Sequence, residues 1–280
     1  MSKSFSSIAR IAEYTFCDEV KQKSFVIMFT VCAICVFLVR GCYHGDYMVN
    51  GRQLDTEAVV SVLSKVAFHV IGSGVMIIAA LLAMRIFRRD RSEGMQSCIL
   101  SKPIARWQYV MGKIIGVWGV SVLFMFALHG IVFLITSLNL QVFMPEYLVA
   151  SLFCSLNVLF VVVAVLLLSL LMPDILAFLS VLGIGIVSFS ADAIAAASHS
   201  QMVQAMMRQS SAGPQSDLTW WKVVYYAWPK LLGVQQSASS LIATGSSHEF
   251  GPIFPLINVL FYCLILGVLL FRRFRNADIY

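Results

Sequence analysis

Six long apolar runs restrict what this chain can fold into more than any other feature. They extend approximately from Ser24 to Val39, Val66 to Ile86, Ile114 to Leu138, Leu148 to Met172, Ile175 to Ala191 and Ile253 to Phe271. A helix needs roughly 20 mostly apolar residues to cross a hydrocarbon layer, and each run approaches that length. In lipid the backbone has no water to bond, so a spanning segment must satisfy its own N–H and C=O groups, as helices and closed barrels do. The runs lack the alternating polarity of a barrel strand. With 59% hydrophobic and 12% charged residues, the composition lies outside that of soluble domains. The expectation is an all-α integral membrane protein with six transmembrane helices, organised as one domain over residues 1–280.

The basic residues orient these helices. Seven of them (Arg85, Arg88, Arg89, Arg91, Lys102, Arg106, Lys113) crowd the connection between the second and third runs. Four precede the first run (Lys3, Arg10, Lys21, Lys23) and three follow the last (Arg272, Arg273, Arg275). Lys and Arg near span ends are retained on the cytoplasmic side, so all three groups are expected there, with both termini in the cytoplasm. The other six, Arg40, Arg52, Lys65, Arg208, Lys222 and Lys230, are spread over long outer segments where the rule is weaker. The formal net charge of +6 then reflects topology and contact with anionic lipid, not nucleic-acid binding. The amino end lacks an apolar core followed by a small-residue cleavage site, so the first span is expected to serve as its own signal. Of the seven cysteines, only Cys42 falls outside, and no disulfide framework follows.

Before the first span, Phe5, Ile8, Ala12, Phe16 and Val20 recur at three-to-four spacing, opposite Arg10, Glu13, Lys21 and Gln22. This predicts an interfacial helix over residues 1–23, the alternative being an extension of the first span. The segment from Gly41 to about Ser64 is polar, with Gly45, Asn50 and Gly51 marking turns, and reads as a lid or linker. Met172-Pro173-Asp174 joins the fourth and fifth spans too tightly for anything but a helical hairpin. The outer-face segment 192–252 is too long for a simple connector. Ala193 to Arg208 reads as helical until Gly213-Pro214 breaks it, and Trp220, Trp221, Tyr225, Tyr226 and Trp228 suit a headgroup-level belt over short helices, or a small aromatic core.

Enzymatic signatures are missing. Gly112-Lys113 lacks the upstream glycine of a phosphate cradle, and there is no zinc-protease pair of histidines or Gly-x-Ser-x-Gly elbow. Polar groups inside spans still need weighing. Lys65 and His69 share a helix face, and His129 lies deep in the third span; snorkelling and helix-to-helix hydrogen bonds compete with a proton or substrate pathway. Cys32 and Cys35 share a face and offer soft metal ligands, but no third ligand accompanies them, and apolar packing is the plainer reading. Gly72 and Gly74, Gly112, Gly116 and Gly119, and Gly183 and Gly185 permit close helix contact within one subunit or between protomers.

The chain resembles the permease subunits of the ABC transporter type 2 family, particularly the branch that includes permeases of nitrous-oxide-reductase maturation and gliding motility. The likeness rests on Phe16, Asp18, Glu19 and Lys23 before the first span, and on Glu93-Gly94 and Leu100-Ser101-Lys102-Pro103-Ile104 with Arg106, Tyr109 and Gly112-Lys113. The terminal Arg272-Arg273-Phe274 adds to it. Met95 stands where such members often have Thr. The resemblance implies a permease that pairs with a second copy, has no cofactor of its own, and docks on a cytoplasmic ATPase that binds ATP and Mg. It also implies that residues 85–113 form the coupling loop. There Glu93 and the arginines can pair with charges in a partner groove, Met95, Ile99 and Leu100 can insert as an apolar knob, and Pro103 can bound a short helix beside Gly94, Ser101, Lys102 and Arg106. The implied role is export across the inner membrane. Alternatively, ATP-driven motion passes through residues 192–252 to an extracytoplasmic partner without a substrate path. A metal carrier or intramembrane enzyme built on His69, His129 and the two cysteines is the third reading.

Overall fold

The computed structural model describes residues 2–38, 48–49, 52–53, 56–95, 104–140, 145–199, 228–242 and 252–276. Its helices are α1 (Ser2–Lys21), α2 (Lys23–Leu38), α3 (Thr56–Ser92), α4 (Arg106–Leu140), α5 (Glu146–Ser169), α6 (Asp174–His199), α7 (Leu231–Ser239, continued by a 3-10 turn at Ser240–Ile242) and α8 (Phe254–Asn276). Among the described residues five segments are long and apolar enough to cross a bilayer: Ser61–Ser92, Arg106–Leu138, Glu146–Ser169, Asp174–Asp192 and Phe254–Asn276. The first run, Ser24 to Val39, forms α2, whose 16 residues meet α1 at a bend of 67°. Together α1 and α2 make an angled pair, and only jointly do they reach spanning length.

The all-α expectation has one small departure. Met48–Val49 and Arg52–Gln53 form an antiparallel ladder, β1 and β2, with Val49 opposite Arg52, across the Asn50-Gly51 pair that hairpin turns favour. The polar linker read as far as Ser64 is also shorter than expected. α3 begins at Thr56, because Thr-Glu-Ala-Val-Val contains no helix breaker and runs straight into the apolar stretch. At 37 residues, α3 is about 55 Å long, well beyond the roughly 30 Å of a hydrocarbon core. It therefore carries Arg85, Arg88, Arg89 and Arg91 past the apolar layer at one end, here called the basic end.

α5 is the central helix, with α3, α4, α6, α7 and α8 all packed on it. Its burial explains its composition: the consecutive Phe160, Val161, Val162 and Val163 point to different sides and are all buried, as expected of a helix enclosed by others. By contrast, α6 and α8 present Ile175, Leu179, Ile186, Phe261 and Leu264 outward, the composition of lipid-facing surface. Met172-Pro173-Asp174 does form the tight turn between α5 and α6. The helix anticipated at Ala193–Arg208 is, as far as it is described, a continuation of α6 through His199. Trp220, Trp221, Tyr225 and Tyr226 lie outside the described residues. α7 is wedged into the bundle: Leu231, Val234, Gln235 and Ala238 are buried against α3, α5, α6 and α8.

Candidate functional site

The basic end holds the most heavily bonded cluster of charge among the described residues. It begins with two glycines on α4. A side chain at Gly112 would lie 2.6 Å from Ile11 Cγ2, and one at Gly116 would lie 2.6 Å from Thr15 Cβ, so α1 lies against α4 where no Cβ intervenes. Ile11, Ala12 and Thr15 are buried there, and Thr15 returns its hydroxyl to the Ile11 carbonyl at 2.8 Å. The amphipathic stripe read from the sequence is thus occupied mainly by a neighbouring helix.

Beside this contact, Lys113 is 0% exposed and Asp90 2% exposed. Lys113 Nζ lies 2.6 Å from Asp90 Oδ2. The Tyr109 hydroxyl, one turn before Lys113, donates to the same carboxylate. Lys113 Nζ also sits 5.8 Å and 5.7 Å from the ring centroids of Tyr14 and Tyr109, within cation–π range. Taking such a pair out of water costs several kcal/mol per ion, so it persists only where partners are fixed. Arg89 extends the cluster to α1, pairing with Asp18 and, at 2.9 Å, with Glu19. Burial pushes the Glu19 carboxyl above the ordinary glutamate value despite the opposing pull of Arg89. Burial and then Asp18 raise the Tyr14 phenol likewise.

Further contacts bring in the remaining helices. Arg88 Nη1 lies 3.2 Å from Asp174 Oδ2 in the first turn of α6. Arg106 Nη1 donates to the Arg275 carbonyl at 2.8 Å, satisfying an acceptor that the end of α8 cannot bond itself. Phe87, Tyr109 and Phe274 pack ring to ring at 5.5–6.4 Å, joining α3, α4 and α8. A groove of about 820 Å³ opens beside the cluster, walled by Asp18, Glu19, Arg85, Arg88, Arg89 and Glu93. The contacts of this arrangement join one helix to another. It ties five helix ends together around the connection between α3 and α4.

That connection carries the residues singled out as a docking element. Glu93 is exposed. Gly94 adopts φ +68° and closes α3 with its N–H on the Arg91 carbonyl at 3.2 Å, a left-handed stop that glycine permits without a Cβ penalty. Met95 is half-buried. Ile99, Leu100, Ser101, Lys102 and Pro103 lie outside the described residues. Arg106 is exposed and opens α4.

The two histidines weighed within the spans are engaged between helices. His129 Nδ1 is 2.7 Å from Ser151 Oγ on α5, its ring stacked at 4.9 Å on Phe68 and edge-on to Tyr147 at 5.3 Å. His69 Nδ1 is 3.1 Å from Gln235 Oε1 on α7. Among the described residues no three His, Cys, Asp or Glu side chains converge as a metal site. Gly72 accommodates Gln235, whose Nε2 is 2.9 Å from where a Cβ would stand, whereas Gly74, Gly183 and Gly185 face open space. Sequence reasoning missed Asp90, the one acid within Arg-Arg-Asp-Arg, and the hydrogen-bonding set around α7. Asn157 Nδ2 donates to the Leu231 carbonyl at 2.8 Å, Gly233 N to Asp192 at 3.0 Å and Lys230 N to Asn258 at 3.2 Å. Lys113 directly before the third apolar run, between Gly112 and Ile114, was the available signal, since a buried ammonium requires a partner acid.

The family model described as ABC-2 family transporter protein matches residues 19–195. The matched stretch runs from Glu19 in α1 across α2 to α5 and through the spanning part of α6. No curated protein matches the chain.

Proposed function

Since the chain belongs to the ABC-2 transporter family, a family of membrane permease components, we propose that it is the transmembrane permease subunit of an ATP-driven exporter. In this reading a separate cytoplasmic ATPase binds ATP and Mg, and this chain carries no catalytic residue. The basic end faces the cytoplasm together with both termini, in the inner membrane, and two copies form the working unit. Glu93, Gly94, Met95, Ile99, Leu100, Ser101, Lys102, Pro103 and Arg106 dock on the ATPase. Within the family, the Glu93-Gly94 pair and the Leu100–Ile104 element align it with the permeases of nitrous-oxide-reductase maturation and gliding motility.

The observation that carries the coupling role is the clamp around Asp90, Lys113 and Arg89. A push on the α3–α4 connection cannot move one helix alone. It displaces α1 through Arg89, α6 through Arg88 and α8 through Arg106, and bundles joined in this way respond by rigid-body rocking. The test is co-expression with candidate cytoplasmic ABC ATPases encoded in the same genome. Ile99→Asp with Leu100→Asp should abolish co-purification while membrane insertion is retained; unchanged co-purification removes the docking assignment. A second reading, transmission of motion to an extracytoplasmic partner at residues 192–252, is favoured by α7. Asp192, Asn157, His69 and Asn258 all bond to that wedge or its lead-in, so bundle motion would reach the outer segment directly.

A further inference from the structure

The geometry points to a binding site for one anionic phospholipid at the basic end, between the start of α4 and the end of α8. A groove of about 420 Å³ lies there, walled by Arg106, Arg272 and Arg275 and floored by Trp107, Phe271 and Phe274. Among the described residues no acidic side chain lines it, in contrast to the mixed-charge groove on the α3 side, where Asp18, Glu19 and Glu93 balance the arginines. Arg272 and Arg275 are three apart on one helix face and both exposed, and guanidinium forks match phosphate oxygens with two parallel hydrogen bonds.

The occupant is identified by what continues from the groove. Ile257, Phe261, Leu264 and Val268 are 61%, 60%, 62% and 51% exposed and recur at three-to-four spacing, so they form one outward stripe along α8. Arg272 and Arg275 extend that same stripe by the same spacing. An apolar track that ends in a cationic pocket matches an acyl chain that ends in a phosphate. A soluble acidic peptide would leave the track uncovered. Trp107, 49% exposed, sits at the boundary, where indole rings favour the headgroup level. The Arg106 bond to the Arg275 carbonyl holds both walls of the pocket at fixed separation. This proposal needs only the multi-pass membrane character of the chain and is independent of the ATPase assignment.

The experiment reconstitutes the full-length protein in phosphatidylcholine bilayers and titrates in dibrominated phosphatidylglycerol or dibrominated phosphatidylcholine. The Trp107 component of quenching is isolated by difference from Trp107→Phe. Phosphatidylglycerol should quench at a lower mole fraction, and Arg272→Gln with Arg275→Gln should erase the preference, by roughly fivefold per arginine, while ordinary lipid contact persists. Arg272→Lys with Arg275→Lys should retain part of the preference, which separates loss of charge from loss of fold. Equal quenching by both lipids, a preference that survives the double Gln variant, or displacement by millimolar inorganic phosphate would each overturn the assignment. So would absence of quenching by either lipid, the result expected if a second copy covers the α8 face.

Discussion

Replacing Gly116 with Ala tests the packing on which the clamp depends. A methyl group there would lie 2.6 Å from Thr15 Cβ and 2.9 Å from the Ala12 carbonyl oxygen, atoms fixed to the α1 backbone that cannot rotate away. Ordinary carbon contacts lie at about 3.5–4.0 Å, so α1 must retreat by about 1 Å. Overpacking of this kind costs about 1–3 kcal/mol, offset by the roughly 1 kcal/mol that Ala gains over Gly inside a helix. Gly119→Ala carries the same gain, but its methyl group would meet only Phe16 Cδ2, at 3.6 Å. The difference between the two variants therefore cancels the propensity contribution and isolates the clash. Gly116→Ala should be about 1–3 kcal/mol less stable than Gly119→Ala, which at 2–4 °C per kcal/mol is a gap of several degrees in Tm. Thermal unfolding in detergent measures the gap, and hydrogen exchange should show faster opening of α1 in Gly116→Ala alone. Equal melting temperatures with unchanged exchange would refute the claim that α1 is held by close backbone approach to α4.

Asp90→Asn leaves Lys113 buried without its carboxylate and should cost about 3–5 kcal/mol, whereas Asp90→Leu combined with Lys113→Met should restore much of the loss; thermal melts of the three proteins test this. Asn157→Leu removes the donor to the Leu231 carbonyl, and inter-helix hydrogen bonds in membranes average about 0.6 kcal/mol with a maximum near 1.7. A small fall in Tm with earlier proteolysis around α7 is the expected result. Glu19 binds its proton more tightly when folded, so stability is greatest below the ordinary glutamate pKa and falls as pH rises through the higher folded value. Glu19→Gln should flatten that slope in a pH series of melts.

The spans were legible because each apolar run is long and has the composition of its surroundings, and the α5–α6 hairpin was legible because Pro173 leaves no other geometry. Which helix face meets which neighbour was not. Gly112 and Gly183 are the same residue in similarly apolar contexts, yet one receives Ile11 and the other faces open space; the distinction depends on where α1 lies, and no local pattern encodes that. The wedge α7 was hidden for a related reason. Its Leu-Leu-Gly-Val-Gln-Gln sequence reads as an ordinary amphipathic turn of helix, and only the acceptors and donors from α3, α5, α6 and α8 show that it is buried. Helix-to-helix hydrogen bonding is one of the two roles the sequence leaves open for His69 and His129, and Gln235 and Ser151 are the partners they meet.

The charge cluster differs from the rest of the molecule in how it specifies structure. Apolar helix faces in lipid are close to interchangeable, since lipid tails solvate a leucine as well as a neighbouring leucine does. An amphipathic α1 held only by Ile11 and Ala12 could therefore slide along α4 at little cost. Arg89, Asp18, Glu19, Asp90 and Lys113 remove that freedom, because any register that separates them leaves a charge unpaired in a medium where this costs several kcal/mol. The glycines permit close approach and the ions fix its position. A helix located by both is held in one register against α4, beside the α3–α4 connection.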